Sequence, residues 1–148
     1  MIAGDNTFVD TNIVLYRASG IPAEKQAAAS KWMNALWLKQ KGHVSWQVIH
    51  EFYSMAVTKL KIPPATARAT VNELVLWSPQ PPTHSTIQRA WHWCDSARIN
   101  FWDALIVAAA EQAGCRWLLS EDFQEGRRFA SVTVINPFAH EPSELDLA

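Results

Sequence analysis

Apolar and polar positions along the chain alternate between two kinds of pattern, brief apolar runs and longer stretches of helical period. Thr7 to Asp10 reads as a strand, and Asn12 to Ala18 as a short helix. A long helix is predicted from Ala23 to Gln40, followed by a short strand from His43 to Ser45. Helices are predicted over Gln47 to Leu60, Ala65 to Trp77, Ser85 to Ser96 and Asp103 to Ala113. The chain closes with strands over Arg116 to Leu119 and Val132 to Ile135. Strands interleaved with helices imply an α/β protein, a three-layer α/β/α sandwich whose central sheet is mostly parallel and covered on both faces.

The same pattern identifies buried faces. On the helix from Gln47, residues Val48, Ile49, Phe52, Met55 and Ala56 fall on one arc. The segment ALIVAAA after Asp103 is apolar all round, as a central helix against the sheet would be. The Pro-rich stretch at 78–83 breaks two helices without marking a domain boundary. Gly42, Gly114 and Gly126 are expected to close segments in the left-handed conformation. Residues 1–137 read as one domain, and the acidic 138–148, with no sustained period, as a tail expected to fray.

Composition narrows the functional classes. With 148 residues and 49% hydrophobic content the chain has material for one full core. It has no apolar run long enough to span a membrane and no signal-peptide pattern, which predicts a soluble, cytoplasmic protein. Cys94 and Cys115 are too few for a disulfide framework and read as free buried thiols. A net charge of −1 excludes nucleic-acid binding by bulk positive charge, leaving local pairs such as Lys39 and Lys41, Lys59 and Lys61, and Arg127 and Arg128. The eight tryptophans suit core or subunit-interface packing, with stacking on unpaired bases as a second use.

Four acids stand at or beside the ends of apolar segments. Asp10 opens Asp10-Thr11-Asn12, where a strand gives way to a helix; helix capping accounts for one of those residues but not for all three. Glu51 falls roughly 40° outside the apolar arc of its helix, placed either to reach a strand end or to sit in water at the rim. Asp103 precedes the buried helix, where an N-cap role and a ligand role are compatible. Asp122 ends an apolar strand, as a turn residue or as a second acid at the carboxyl edge of the sheet.

Two carboxylates about 4 Å apart repel by about 4 kcal/mol at an effective dielectric of 20. A cluster of four therefore needs protons or a cation, and oxygen-only ligands favour Mg²⁺ or Mn²⁺ over Zn²⁺. A cation held there can acidify a water and clamp the oxygens of a phosphodiester, which points to hydrolysis of a nucleic-acid backbone. Other chemistries fail on their residues. His50-Glu51 lacks the second histidine of a zinc-protease helix, since Ser54 stands there, and no dinucleotide fingerprint, P-loop or nucleophile elbow occurs.

The residues FVDTN at 8–12, HEF around Glu51, FWDALIVAAA at 101–110 and LLSEDFQEG at 118–126 together resemble the PIN-domain family, specifically its VapC-type toxin branch. The resemblance implies an Mg²⁺- or Mn²⁺-dependent endoribonuclease, usually a homodimer, restrained by a cognate antitoxin whose C-terminal segment covers the acidic site. Carried onto this chain, Asp10, Glu51, Asp103 and Asp122 match the acidic quartet. Asp10 and Asp103 match the positions that most directly hold metal, with Glu51 and Asp122 acting directly or through water. Asn12 and Ser120 match polar positions that orient the acids or water. Glu121 beside Asp122 leaves open which of the two reaches the site. A PIN-like module that binds RNA or protein without cutting is the alternative.

Overall fold

Strand β1 (Thr7–Val9) is buried along its whole length, as a strand with layers on both sides must be. It was identified in a computed structural model that describes residues 6–145 and 147. Among these residues the sheet also contains β2 (Gly42–His43), β3 (Trp117–Leu119), β4 (Arg128–Phe129) and β5 (Val132–Ile135), in the order β2-β1-β3-β5-β4. All neighbours pair in parallel except β4 and β5. With helices α1 (Thr11–Ser19), α2 (Ala23–Lys39), α3 (Trp46–Thr58), α4 (Pro64–Val75), α5 (His84–Ala97) and α6 (Phe101–Gln112), this is a three-layer α/β/α sandwich around a mostly parallel sheet.

The strand order locates the functional edge. From β1 the chain crosses first to β2 on one side and later to β3 on the other, so the connections leaving β1 and β3 diverge and open a crevice beyond their carboxyl ends. Register brings the two exits together. Val9 lies opposite Leu119, and the next residue, Asp10, donates its N–H to the Leu119 carbonyl at 3.0 Å. Helix α6 supplies the opposite wall. Ala104 and Ile106 through Ala110 are all buried, and its alanines let the neighbouring layers approach closely.

Several boundaries differ from the sequence pattern. Gly42 lies in β2 and is not the left-handed cap; Gln40, at φ 54°, takes that role. What requires glycine at 42 is space, since a Cβ there would stand 2.2 Å from the Trp77 ring. Gly114 and Gly126 do adopt positive φ. The expected strand at 43–45 shrinks to Gly42–His43, while Ser45 forms a single parallel bridge with Gln80 from the Pro-rich stretch. The two-residue β4 has no apolar run to announce it and forms by a tight turn onto β5.

The C-terminal segment, expected to fray, folds back instead. A 3₁₀ turn (Pro142–Leu145) buries Leu145, Leu147 is buried beside it, and the Trp32 indole donates to the carbonyls of Pro137 and His140. Two isolated leucines carry no period to read, yet both join the core where the 3₁₀ turn packs against α2. Both cysteines are free, Cys115 buried and Cys94 partly so. No helix among the described residues is long and apolar enough to cross a membrane.

Candidate active site

Asp10 ends β1 and caps α1, with extended backbone and its Oδ1 accepting from the Thr11 N–H at 2.7 Å. Its Oδ2 accepts from the Ser120 hydroxyl at 2.8 Å. Only 5% of Asp10 is exposed. Burial pushes its carboxyl up to about 7, opposed by the Ser120 and Thr11 hydrogen bonds and reinforced by the negative charges of Asp122 and Glu51.

Ser120 is the hub of the strand ends. Its fully buried hydroxyl donates to Asp10 and accepts from the Asp122 N–H at 3.0 Å and from the Asn12 amide at 3.4 Å. One donor and two acceptors exhaust what a serine hydroxyl offers. Ser120 and Asn12 lie beside Asp10 and are joined by that amide–hydroxyl contact, and the Asn12 Oδ1 is buried without a partner among the described residues.

Glu51 reaches across from α3. Thr11 donates its hydroxyl to Oε1 at 2.7 Å, and Gln47, one turn earlier on the helix, donates to Oε2 at 3.3 Å. The border position on the apolar arc is what carries the side chain past the core: Val48, Ile49 and Phe52 are buried while Glu51 is only partly so.

Asp103 is not the N-cap expected from the sequence. Helix α6 begins two residues earlier, capped by Asn100, whose Oδ1 accepts from the Asp103 N–H at 2.9 Å and whose amide donates back to Oδ2 at 2.8 Å. Asp103 so lies in the first turn, where the helix dipole favours an anion and the reciprocal pair fixes its rotamer. Partial burial still raises its carboxyl, against the Asn100 hydrogen bond and with the help of Asp122 and Glu51.

The choice between Glu121 and Asp122 is made by their partners. Glu121 is not on the lining of the acidic pocket and accepts from the Tyr16 hydroxyl and from Lys25 Nζ, the latter at 2.5 Å. Phe123 anchors the following turn by edge contact with Phe129. Asp122, though exposed, joins Asp10, Glu51 and Asp103 on the lining of one pocket of about 160 Å³ with Thr11 and Asn12. Among the described residues, no lysine or arginine lines it.

Three contributing residues escaped the sequence reading: Thr11 and Gln47, which orient Glu51, and Asn100, which orients Asp103. Asn100 and Asp103 do show the spacing of a reciprocal cap, a signal present in the sequence.

A PIN-domain family model matches residues 7–132. The chain belongs to the PIN-domain family. A PIN domain is in general a nuclease fold, commonly dependent on a divalent metal, so the family supports a hydrolase acting on nucleic acid. Comparison with curated proteins gives no match.

The donor chemistry of this PIN pocket fits a hard divalent cation. It offers carboxylate oxygens and the unpartnered Asn12 carbonyl oxygen, with no basic side chain on its lining to neutralise them. Among the described residues, no group of three or more Asp, Glu, His or Cys side chains stands positioned to hold a metal ion.

Proposed function

We propose that this PIN domain is an Mg²⁺- or Mn²⁺-dependent endoribonuclease acting in the cytoplasm as the toxin of a toxin–antitoxin pair. The observation that carries the reading is the meeting of Asp10, Glu51, Asp103 and Asp122 in one pocket with no cation of the protein's own on its lining. Asp10 and Asp103 are the residues that would hold the metal, joined by Glu51 and Asp122 directly or through water. When bound, the metal supplies positive charge and Lewis acidity for an in-line displacement at phosphorus.

The protein groups have distinct parts. Thr11 and Gln47 fix Glu51, Asn100 fixes Asp103, and Ser120 fixes both Asp10 and the backbone before Asp122. Burial lets Asp10 hold a proton up to about pH 7, which it would give up to a bound cation. Glu51 and Asp122 orient the attacking water. Lys59 lies in an adjoining cleft that shares Asn12, Leu15 and Met55 with the acidic pocket, where it meets the phosphate backbone of a strand running past.

A homodimer and a protein antitoxin complete the reading. Supporting a dimer, Trp37 and Trp77 stack with centroids 6.4 Å apart beside an exposed Leu76. The antitoxin's C-terminal segment would cover the acidic pocket and restrain the enzyme.

The test is incubation of the chelator-treated chain with total RNA plus Mg²⁺ or Mn²⁺, beside Asp10→Ala and Asp103→Ala. Metal-dependent cuts lost in both variants, by about 100-fold or more, are expected. Absence of cutting by antitoxin-free wild type on every RNA would favour a binding module instead.

A further inference from the structure

Beside the acidic pocket lies a second and larger one, of about 310 Å³, at the small end of the ~300–1,000 Å³ typical of small-molecule sites. Its walls are Trp46, His50, Pro81 and Trp102, with Leu105 and Ala109 among its lining residues. The two pockets share Gln47, Glu51 and Trp102, so whatever enters the second is continuous with what lies over the acids.

Trp102 calls for a reason. It sits in the first turn of α6 with 63% of its surface exposed, although it is the largest apolar side chain there. Its setting is fixed. Gln47 donates to the Trp102 carbonyl at 3.3 Å, and Phe101 meets its ring edge-on at 5.6 Å. On the other wall Trp46 lies 6.2 Å from the His50 ring. Gln80 is held by backbone hydrogen bonds to Val44 and Trp46, while its side-chain amide makes no hydrogen bond among the described residues.

Charge decides the occupant. No lysine or arginine lines the groove and the Glu51 carboxylate does, so a phosphate is unwelcome there. Flat uncharged rings match the indole faces, and a free amide offers both donor and acceptor to a ring edge.

Resting on the nuclease reading, we propose that this groove is a base-recognition subsite. One unpaired nucleobase of the RNA, next to the phosphate over the acids, stacks against Trp102 and Trp46 and is read on its edge by the Gln80 amide. The groove thereby sets which nucleotide flanks the cut.

The experiment has two arms. In the first, neutral nucleosides, which carry no phosphate to be repelled by the acids, are titrated at millimolar concentration into ¹⁵N-labelled full chain while the tryptophan indole signals are followed. Saturable shifts at Trp46 and Trp102, strongest for one base, lost in Trp102→Ala and weakened in Gln80→Ala, are expected. Because Trp102 is exposed, Trp102→Ala should melt with the wild type.

In the second arm, cleavage of short single-stranded RNAs is mapped with metal present. Trp102→Ala should raise KM about tenfold or more while kcat changes less than about threefold, and Gln80→Ala should flatten the base preference beside the cut. If wild type cuts and both variants keep its KM and its cut pattern, the subsite is overturned while the nuclease reading stands. If wild type cuts no RNA, the nuclease reading fails on its own, and the nucleoside arm alone decides the groove. Shifts with N-acetyl-tryptophanamide but with none of the nucleosides would assign the groove to a protein segment and overturn the proposal.

Discussion

Glu121 and Asp122 are adjacent in sequence, yet one belongs to a compensated cluster and the other to an uncompensated one. Glu121 meets Lys25 and Tyr16, and the Lys25 ammonium also lies 4.9 Å and 5.0 Å from the ring centres of Tyr16 and Phe138. Burial alone would raise the Glu121 carboxyl, but the hydrogen bonds from Lys25 and Tyr16 bring it below the usual range. On the other side of the backbone, Asp122 joins three acids with no cation on the pocket lining, and Asp10 there is pushed up to about 7. The first cluster stabilises the fold by itself. The second destabilises it until something positive arrives, which is how a protein spends stability on a binding site.

The comparison breaks most visibly at Asp10. Unfolded, this carboxyl ionises near 3.8, whereas in the fold it keeps its proton up to about 7. The folded form thus loses stability as pH rises between those values, and the loss is complete above about 7. Asp10→Asn removes the charge and keeps the hydrogen bond accepted from Thr11, while its amide meets a Ser120 oxygen that already accepts from Asp122 and Asn12. In chelator its stability relative to wild type should rise with pH, by up to about 4 kcal/mol between pH 4 and pH 8. Denaturant unfolding across that pH range checks this; an advantage independent of pH would mean Asp10 is not strained by its charge.

A smaller effect is expected at the hub. Ser120→Ala strips Asp10 and the Asp122 N–H of a shared partner and should cost about 1–3 kcal/mol, read as a lower denaturation midpoint at unchanged slope. Smaller still is Lys25→Met, which keeps the apolar stem over Tyr16 and Phe138 but removes the charge. Because the pair is partly exposed to solvent, the loss should be small and should fade in high salt. A loss at Lys25 as large as that at Ser120 would erase the distinction between the clusters.

How much of this was legible depends on how local each cause is. The strand ends at Asp10 and Asp122 could be read because an apolar run stops at each, and parallel pairing then carries both to one edge. The helix of Glu51 revealed its border position by period alone. What could not be read arises from contacts distant in sequence. Tyr16 and Lys25 hold Glu121 apart from the acidic pocket from about a hundred residues away, and no pattern around position 121 records them. Gly42 answers to the Trp77 ring, and Leu145 and Leu147 to the Trp32 layer, for the same reason. The start of α6 was misplaced on local grounds, because the uniform apolar run after Asp103 outweighed the capping pair that begins at Asn100.

Calorimetric titration of Mn²⁺ into the chelator-stripped chain at pH 8 tests the central claim most directly. Binding is predicted for wild type, weakened about tenfold or more in Asp10→Asn and Asp103→Asn and unchanged in Glu121→Gln; repeated at pH 6, where Asp10 still holds its proton, it should release one. Wild type that binds no Mn²⁺, or Glu121→Gln weakening it as much as Asp10→Asn, would contradict the assignment of the uncompensated acids as the metal site.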